Sequence, residues 1–378
     1  MPLRVGVIGC GDISTAYFHL SKLFRDFEIV ACADLKAEAA ERQATKFGVA
    51  ARKVDALLAS ADVDLVLNLT VPAAHAEVSL AALAAGKHVY CEKPFATTLA
   101  DGERILALAR SRGLRVGGAP DTVFGGGYSE ARALVDGGAI GRPLTGLAAV
   151  LSHGMEDWHP NPGFFFKPGG GPLFDMGPYY LAALVLLLGP IAEVQAVGQI
   201  GFAERLVTAP DSPMRGQAIR VETLTSVQAL LSFASGAQVT LLTSWDVWKS
   251  DLAPIELHGE TGSLQLPDPN GFGGETRLSE RGADWQVHAS AGRVFGRPNV
   301  PASAPVHTNY RGLGLADMAR GLLDGRPHRA SGEFALHVLA AMEGILHAAT
   351  DRRIVTIEAT CERPGALGEE EAAGLLRA

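Results

Sequence analysis

The chain has 378 residues, of which 47% are hydrophobic and 20% are charged, a composition that supports a sizeable core and is not typical of disordered proteins. Its formal net charge of -8 argues against nucleic-acid partners and against binding to an anionic membrane surface. At roughly 150 residues per domain, the length predicts two domains.

The first elements predict a dinucleotide-binding unit. A short apolar strand over residues 3–8 runs directly into Gly9-Cys10-Gly11-Asp12-Ile13-Ser14. This loop has the first two glycines of the dinucleotide fingerprint, and Ser14 stands at the third position, where a small residue still permits close packing. We therefore expect Gly9, Gly11, Asp12 and Ile13 to border a bound cofactor.

The second strand, residues 28–33, ends in Asp34. An acid about 20 residues after the glycine loop binds the adenosine ribose hydroxyls and repels the 2′-phosphate of NADP. This position predicts NAD as the cofactor, and Lys36 nearby leaves NADP possible. The alternative is that Asp34 only caps the predicted helix over residues 37–47.

Strands and helices continue to alternate, which predicts a parallel, doubly wound sheet. The later strands are predicted at 63–69, 89–91 and 114–118, and the later helices at 73–85 and 101–111. Thr70 and Pro72 follow a strand and are expected near the nicotinamide. His75 either joins them or is an ordinary helix residue.

Glu92-Lys93-Pro94, here called the lysine turn, follows the strand at 89–91. Ligands bind at the carboxyl ends of strands in such sheets, which predicts that Lys93 faces a site. Pro94 fixes one backbone angle of the turn. The alternative is an ordinary Glu-Lys pair on the surface.

Beyond residue 122 the strands come in runs, which indicates an antiparallel α+β domain. We predict strands at 144–151, 191–200, 219–233, 237–244, 256–258 and 263–266, and helices at 126–136, 313–323 and 334–350. Loops are expected at 270–274 and 301–305, and the Glu-rich tail from Gly365 is expected to be a solvated helix or a frayed end. The domains are thus predicted at 1–122 and 123–378.

The segment between His153 and Tyr180 carries the remaining candidates for chemistry. Asp175 and Tyr179 are four residues apart and share a face if the segment is helical. The aromatic run at 158–167 suits a sugar ring, which has apolar C–H faces. The alternative is a hydrophobic plug between the domains. The spacing of His153 and His159 does not fit a metal site, so no metal is predicted.

These motifs together resemble the Gfo/Idh/MocA oxidoreductases, a family that includes glucose–fructose oxidoreductase and inositol dehydrogenase. The resemblance covers nearly the whole chain. It rests on the glycine loop, Thr70-x-Pro72 with His75, the lysine turn, and the Gly-rich entry at 169–177. The sequence departs from the family at Tyr179, where a His is usual, and at Ala182, where an Asp is common.

The resemblance implies an α/β N-terminal Rossmann domain and an α+β C-terminal domain with a large, mostly antiparallel open sheet. It implies NAD(P)-dependent hydride transfer between the nicotinamide and a secondary alcohol of a sugar, anhydrosugar or cyclitol. Two alternatives stay open: a non-catalytic NAD(P)-binding sensor, and an NAD-dependent lyase or glycosidase with internal redox cycling.

The residue patterns and the family resemblance together give the candidate site residues. The predicted catalytic residues are Lys93, Asp175 and Tyr179. The predicted cofactor-binding residues are Gly9, Gly11, Asp12, Ile13, Asp34, Thr70, Pro72, His75, Glu92 and Lys93. The predicted substrate-binding residues are Lys93, Asp121, His153, Phe165, Asp175 and Tyr179.

The open sheet implies burial by a second subunit, so a homodimer or homotetramer is expected. No nucleic acid or membrane partner is expected. Four widely separated cysteines and a strand close to the N-terminus predict a cytoplasmic protein.

Overall fold

The computed structural model describes residues 1–299 and 308–377, and its first sheet has six strands. These are β1 (Leu3–Ile8), β2 (Phe27–Ala33), β3 (Ala50–Arg52), β4 (Leu65–Asn68), β5 (His88–Cys91) and β6 (Val116–Gly118). All neighbours are parallel, in the order β3-β2-β1-β4-β5-β6. The chain order reverses between β1 and β4, which is the switch point where such sheets bind ligands. The predicted doubly wound fold is confirmed.

Five helices accompany these strands: α1 (Asp12–Leu20), α2 (Ala37–Phe47), α3 (Val54–Leu58), α4 (His75–Ala84) and α5 (Leu99–Ser111). Helix α5 is capped by Thr98, whose hydroxyl accepts the Asp101 N–H at 3.2 Å. The sequence did not predict β3 or α3. Both are very short, and the exposed Ala50 and Ala51 of β3 offer no apolar alternation.

The second domain opens with α6 (Gly126–Asp136) and contains a nine-stranded sheet. Its strands are β7 (Pro143–Leu151), β8 (Ile191–Gln199), β11 (Ser226–Phe233), β12 (Gln238–Ser244), β13 (Ile255–Gly259), β14 (Gly262–Leu266), β15 (Glu275–Glu280), β16 (Gln286–Ala289) and β17 (Val355–Thr356), while β9 (Glu204–Leu206) and β10 (Ala218–Arg220) form a separate hairpin. The spatial order is β16-β15-β14-β13-β7-β12-β11-β8-β17, and only β7 and β12 pair in parallel among these neighbours in the described residues. The predicted mostly antiparallel sheet is confirmed.

One predicted strand is wrong in its extent. Residues 219–233 form the end of β10, a connecting segment, and then β11. Strand β10 pairs with β9 and packs over a small core around Trp245, whereas β11 belongs to the large sheet. Buried and exposed residues alternate in both strands, so the sequence pattern did not show the break between them.

Helices α7 (Gly171–Leu188) and α9 (Gly332–Asp351) cover one face of the large sheet. Helix α7 is long and apolar enough to cross a membrane by composition, but 89% of it is buried inside the protein. Along β11 the buried and exposed residues alternate, so that Leu231 is covered while Leu230 is 54% exposed. The other face of the sheet is therefore open.

The last helices, α8 (Leu313–Asp324), α9 and α10 (Glu369–Leu375), return to the first domain. Of the two alternatives for the tail, a solvated helix or a frayed end, the structure shows a helix, α10, whose Glu369 and Glu370 are exposed. Leu375 is buried and Leu376 forms a bridge with Phe24, so the end of the chain docks against the first domain, while Glu371 pairs with Arg329 in the segment before α9. The division at residue 122 stays a prediction, and the predicted loop at 301–305 lies outside the described residues.

Candidate active site

The lysine turn lies at the carboxyl end of β5, next to the switch point of the sheet. The Lys93–Pro94 peptide bond is cis. Glu92 is 6% exposed and faces inward: one carboxylate oxygen accepts the Lys93 N–H at 2.8 Å and the other accepts the Tyr17 hydroxyl at 2.9 Å. These two contacts turn Glu92 toward the protein interior and hold the lysine turn in place.

Lys93, Asp175 and Tyr179 meet where the two domains face each other. The Lys93 Nζ lies 2.8 Å from Asp175 Oδ1 and 2.8 Å from the Asp175 carbonyl oxygen. It also lies 5.2 Å from the centroid of the Tyr179 ring. Burial favours the neutral amine, but Tyr179 and Asp175 together hold the pKa of Lys93 above its usual value. Lys93 is therefore a cation at neutral pH.

Helix α7 explains why Asp175 and Tyr179 point the same way. They are one turn apart, as their spacing predicted, and both contact Lys93. Pro178 lies between them and has no N–H, so the Phe174 carbonyl loses its usual partner within the helix. Asp175 remains 19% exposed in its side chain, so the salt bridge is open to a small ligand.

Arg311 is a second cation near this group that sequence reasoning missed. Its guanidinium lies 3.6 Å from Glu92 Oε1, and its side chain is 12% exposed. Burial opposes its charge, whereas Tyr179 and Glu92 favour it, with the result that the pKa of Arg311 is raised. No spacing in the sequence links Arg311 to the lysine turn, since only the return of the chain before α8 brings them together.

The glycine loop forms a cradle that fits a dinucleotide. Gly9 has a φ of 102°, and a Cβ there would lie 2.5 Å from the Leu69 carbonyl, so the close approach of the loop to the end of β4 requires glycine. A Cβ on Gly11 would meet nothing within 4 Å, which leaves room beside the N-terminus of α1. Open backbone at a helix N-terminus is suited to a pyrophosphate. Asp12 and the 38% exposed Ile13 follow at the same edge.

Asp34 lies against this cradle. Its carboxylate accepts the Cys10 N–H and the Lys36 N–H, each at 2.8 Å. Helix α2 begins after Lys36, so Asp34 is not at its N-cap position. Ser14 is fully buried and accepts a hydrogen bond from Gln43, so the third position of the fingerprint joins α1 to α2.

Thr70 and Pro72 lie at the adjacent end of β4, as predicted, and Asn68 holds this turn by accepting the Thr70 hydroxyl at 2.7 Å. The structure places His75 beneath the turn. The ring is 1% exposed, and its nitrogens lie 2.6 Å from the Pro94 carbonyl and 2.9 Å from the Thr70 carbonyl. His75 therefore contacts the protein on both sides and does not face the cofactor cradle.

Asp121 was predicted to bind the substrate, but the structure places it elsewhere. It is fully buried, and its Oδ2 accepts the N–H groups of Gly312 and Gly314 at 2.8 and 3.2 Å. Burial raises the pKa of this carboxyl. Asp121 caps the start of α8 rather than facing a substrate, because α8 returns to the end of β6.

His153 and Phe165 lie in an aromatic cluster beside the small core of the second domain. The His153 ring stacks on Trp248 with centroids 3.6 Å apart, and Phe165 meets Trp245 edge-on at 5.9 Å. Arg205 holds the cluster from below by pairing with Glu156 at 2.8 Å and with Asp246. Within residues 1–299 and 308–377, no hydrogen bond links His153 or Phe165 to Lys93, Asp175 or Tyr179.

The described part of the chain contains no group of three or more His, Cys, Asp or Glu side chains arranged to hold a metal ion. Residues 3–118 match the description "Oxidoreductase family, NAD-binding Rossmann fold", and residues 128–265 match "GFO/IDH/MocA C-terminal domain".

The chain belongs to the GFO/IDH/MocA family. It is an NAD-binding oxidoreductase, as the sequence predicted. Inositol 2-dehydrogenase 3 of Saccharopolyspora erythraea is 32% identical over 76% of this chain and 80% of that protein. The dTDP-3,4-didehydro-2,6-dideoxy-alpha-D-glucose 3-reductase of Streptomyces violaceoruber is 34% identical over 70% of this chain and 72% of that protein.

Two solved structures share the fold across nearly the full length of this chain. An NAD binding oxidoreductase from Klebsiella pneumoniae aligns with a TM-score of 0.80 and 24% identity, covering 94% of this chain and 99% of that one. Levoglucosan dehydrogenase in complex with NADH and levoglucosan aligns with a TM-score of 0.80 and 20% identity, covering 95% of this chain and 100% of that one. At these identities the likeness establishes the fold.

Proposed function

We propose that the protein transfers hydride between the nicotinamide of NAD and a secondary alcohol of a sugar, anhydrosugar or cyclitol. The observation that carries this proposal is the Lys93–Asp175 salt bridge beside Tyr179, at the end of the cofactor sheet where a nicotinamide belongs. The curated relatives named above act on an inositol and on a deoxysugar nucleotide.

The cofactor supplies the hydride acceptor when it is bound. Gly9, Gly11, Asp12, Ile13 and Asp34 would hold its adenosine and pyrophosphate, and Thr70 and Pro72 would border its nicotinamide end.

In this proposal the Lys93 ammonium donates a hydrogen bond to the substrate oxygen as negative charge develops on it during hydride transfer. Its raised pKa suits a donor that stays protonated and does not take the proton itself. Asp175 orients Lys93. Tyr179 donates its hydroxyl proton to the oxygen in ketone reduction and takes one back in alcohol oxidation.

The aromatic cluster supports a neutral, ring-shaped substrate. Phe166 is fully buried in the small core around Trp245, but Phe164, Trp158 and Trp248 are more than half exposed. Exposed aromatic faces pack well on the apolar face of a sugar ring. In this proposal His153 and Phe165 bind the substrate from that side.

A panel of sugars, anhydrosugars and cyclitols, assayed with NAD and with NADP for net formation of the reduced cofactor, tests the proposal. Net NADH formation with at least one member is expected. Bond cleavage without net NADH would instead identify a lyase or glycosidase with internal redox cycling. NAD binding without turnover across the panel would favour a sensor.

We further propose that the open face of the large sheet is buried in a homodimer or homotetramer. Val197, Leu230 and Ile354 are each at least half exposed on this face, around a depression of about 530 Å³. Sedimentation at micromolar concentration is expected to show an oligomer, and a stable monomer would contradict it.

The buried, free thiols of Cys10, Cys32 and Cys91 fit a reducing, cytoplasmic location.

A further inference from the structure

The His75 ring lies between two backbone carbonyl groups and is almost fully buried. Its Nδ1 is 2.6 Å from the Pro94 oxygen and its Nε2 is 2.9 Å from the Thr70 oxygen. A carbonyl oxygen only accepts hydrogen bonds, and a neutral imidazole has one N–H to donate. Either neutral tautomer would therefore leave a ring lone pair facing a carbonyl oxygen in a buried place, which is unfavourable.

We propose that His75 is held as the doubly protonated imidazolium and acts as a positioning residue for Lys93, by donating one N–H to each of these carbonyls. Thr70 follows β4, and Pro94 follows Lys93 at the end of β5. The ring therefore ties together the two strand ends that flank the nicotinamide side of the site. The positioning role rests on the proposed function, whereas the charge of the ring does not.

The surroundings of the ring support a cation. The titratable group that faces it from β5 is the Cys91 thiol. Asn68 of β4 binds the backbone of His75 through its amide, and Glu77 on α4 itself is exposed. In the lysine turn, Glu92 is engaged with Tyr17 and the Lys93 ammonium with Asp175. Burial opposes the charge, but Cys91 and the two carbonyls raise the pKa of His75 to about 9.

His337 provides a matched contrast within the same chain. It is also fully buried, on α9, but its ring contacts one donor and one acceptor. Its Nε2 accepts the Ile191 N–H at 2.9 Å, and its Nδ1 donates to the Ala359 oxygen at 2.7 Å. One neutral tautomer satisfies both contacts, and burial lowers the pKa of this ring. His75 is thus expected to be a cation and His337 to be neutral.

The loss of His75 is expected to affect catalysis more than cofactor binding. Without the imidazolium, the Pro94 carbonyl loses its donor and the lysine turn is free to shift. A displacement of about 1 Å near reacting groups costs roughly 100-fold in rate. The cradle for the adenosine half of NAD does not involve His75, so its affinity is expected to change little.

Ring NMR of the full-length protein labelled with ¹⁵N-histidine tests the charge, with His75→Gln and His337→Gln assigning two of the eleven histidines. At about pH 8, well above the ordinary histidine pKa of about 6.5, both His75 nitrogens are expected to carry protons, while His337 carries one. A single protonated nitrogen on His75 at this pH would overturn the proposal, and this result does not depend on any substrate.

Kinetics test the positioning role. His75→Gln is expected to lower kcat at least tenfold while the Kd for NADH stays within about twofold, and kcat of the parent is expected to fall as the pH passes about 9. His337→Gln controls for the loss of a buried histidine and should retain kcat. An unchanged kcat in His75→Gln would overturn the positioning role. Lack of turnover by the parent on the whole panel would instead contradict the proposed function.

Discussion

Lys93 and Asp175 form a salt bridge that joins the cofactor sheet to the central helix of the second domain, with 2.8 Å between Nζ and Oδ1. The same ammonium also donates to the backbone carbonyl of Asp175 at 2.8 Å, so α7 fixes it through two contacts. The position of the charge therefore depends on how the two domains meet. This explains why the catalytic proposal rests on the pair and not on the lysine alone.

Tyr179→Phe is predicted to lower kcat by roughly 10²- to 10⁴-fold, because it removes the proposed proton-transfer group and keeps the ring beside Lys93. Steady-state kinetics on an active member of the panel measure this. Tyr180→Phe is the matched control, since Tyr180 is the next residue of α7, is similarly buried, and has no role in the proposal. Equal effects of the two substitutions would show that Tyr179 only packs.

The sequence predicted the positions of most residues of the candidate site but missed Arg311. Gly9, Asp34, Lys93 and Asp175 lie where predicted, because each is fixed by a strand end or by the turn spacing of one helix. Arg311 was beyond prediction, since its place depends on the return of the chain from the second domain.

Asp34→Ala is predicted to weaken NAD binding by roughly 10- to 100-fold and to reduce the discrimination against NADP, because a charge-assisted contact and a repulsion are lost together. Titration calorimetry with both cofactors measures this. Asp64→Ala is the control, as it removes a carboxylate paired with Arg4 at the other end of the sheet. Unchanged affinity for both cofactors in Asp34→Ala would show that the carboxylate only holds the glycine loop.

His75 is predicted to make stability depend on pH. Its folded-state pKa is raised to about 9, so its contribution is fully present below the unfolded value of about 6.5 and is lost as the pH rises through about 9. This shift corresponds to about 3 kcal/mol of the free energy of unfolding. Urea unfolding of His75→Gln and of the parent should diverge near neutral pH and converge above about pH 9. Parallel curves across this range would contradict the prediction.

Three polar residues that were predicted to face a ligand are instead buried in the protein. Glu92, His75 and Asp121 occupy strand ends or turns in the sequence, where polar side chains commonly face a ligand. In the fold each side chain is turned inward. Glu92 accepts the N–H of the next residue, whereas His75 and Asp121 contact backbone groups of other segments. The sequence shows that a residue follows a strand, but the packing of the next segment decides which way its side chain points.

The most direct test of the central claim is the single-turnover rate of NADH formation by Lys93→Met at saturating NAD and substrate. Methionine keeps most of the bulk and removes the ammonium that Asp175 holds. The account predicts a rate roughly 10²- to 10³-fold below that of the parent, as for the loss of one donor to a developing oxyanion, with NADH affinity changed by less than about twofold. A variant that matches the parent rate at saturation would contradict the account.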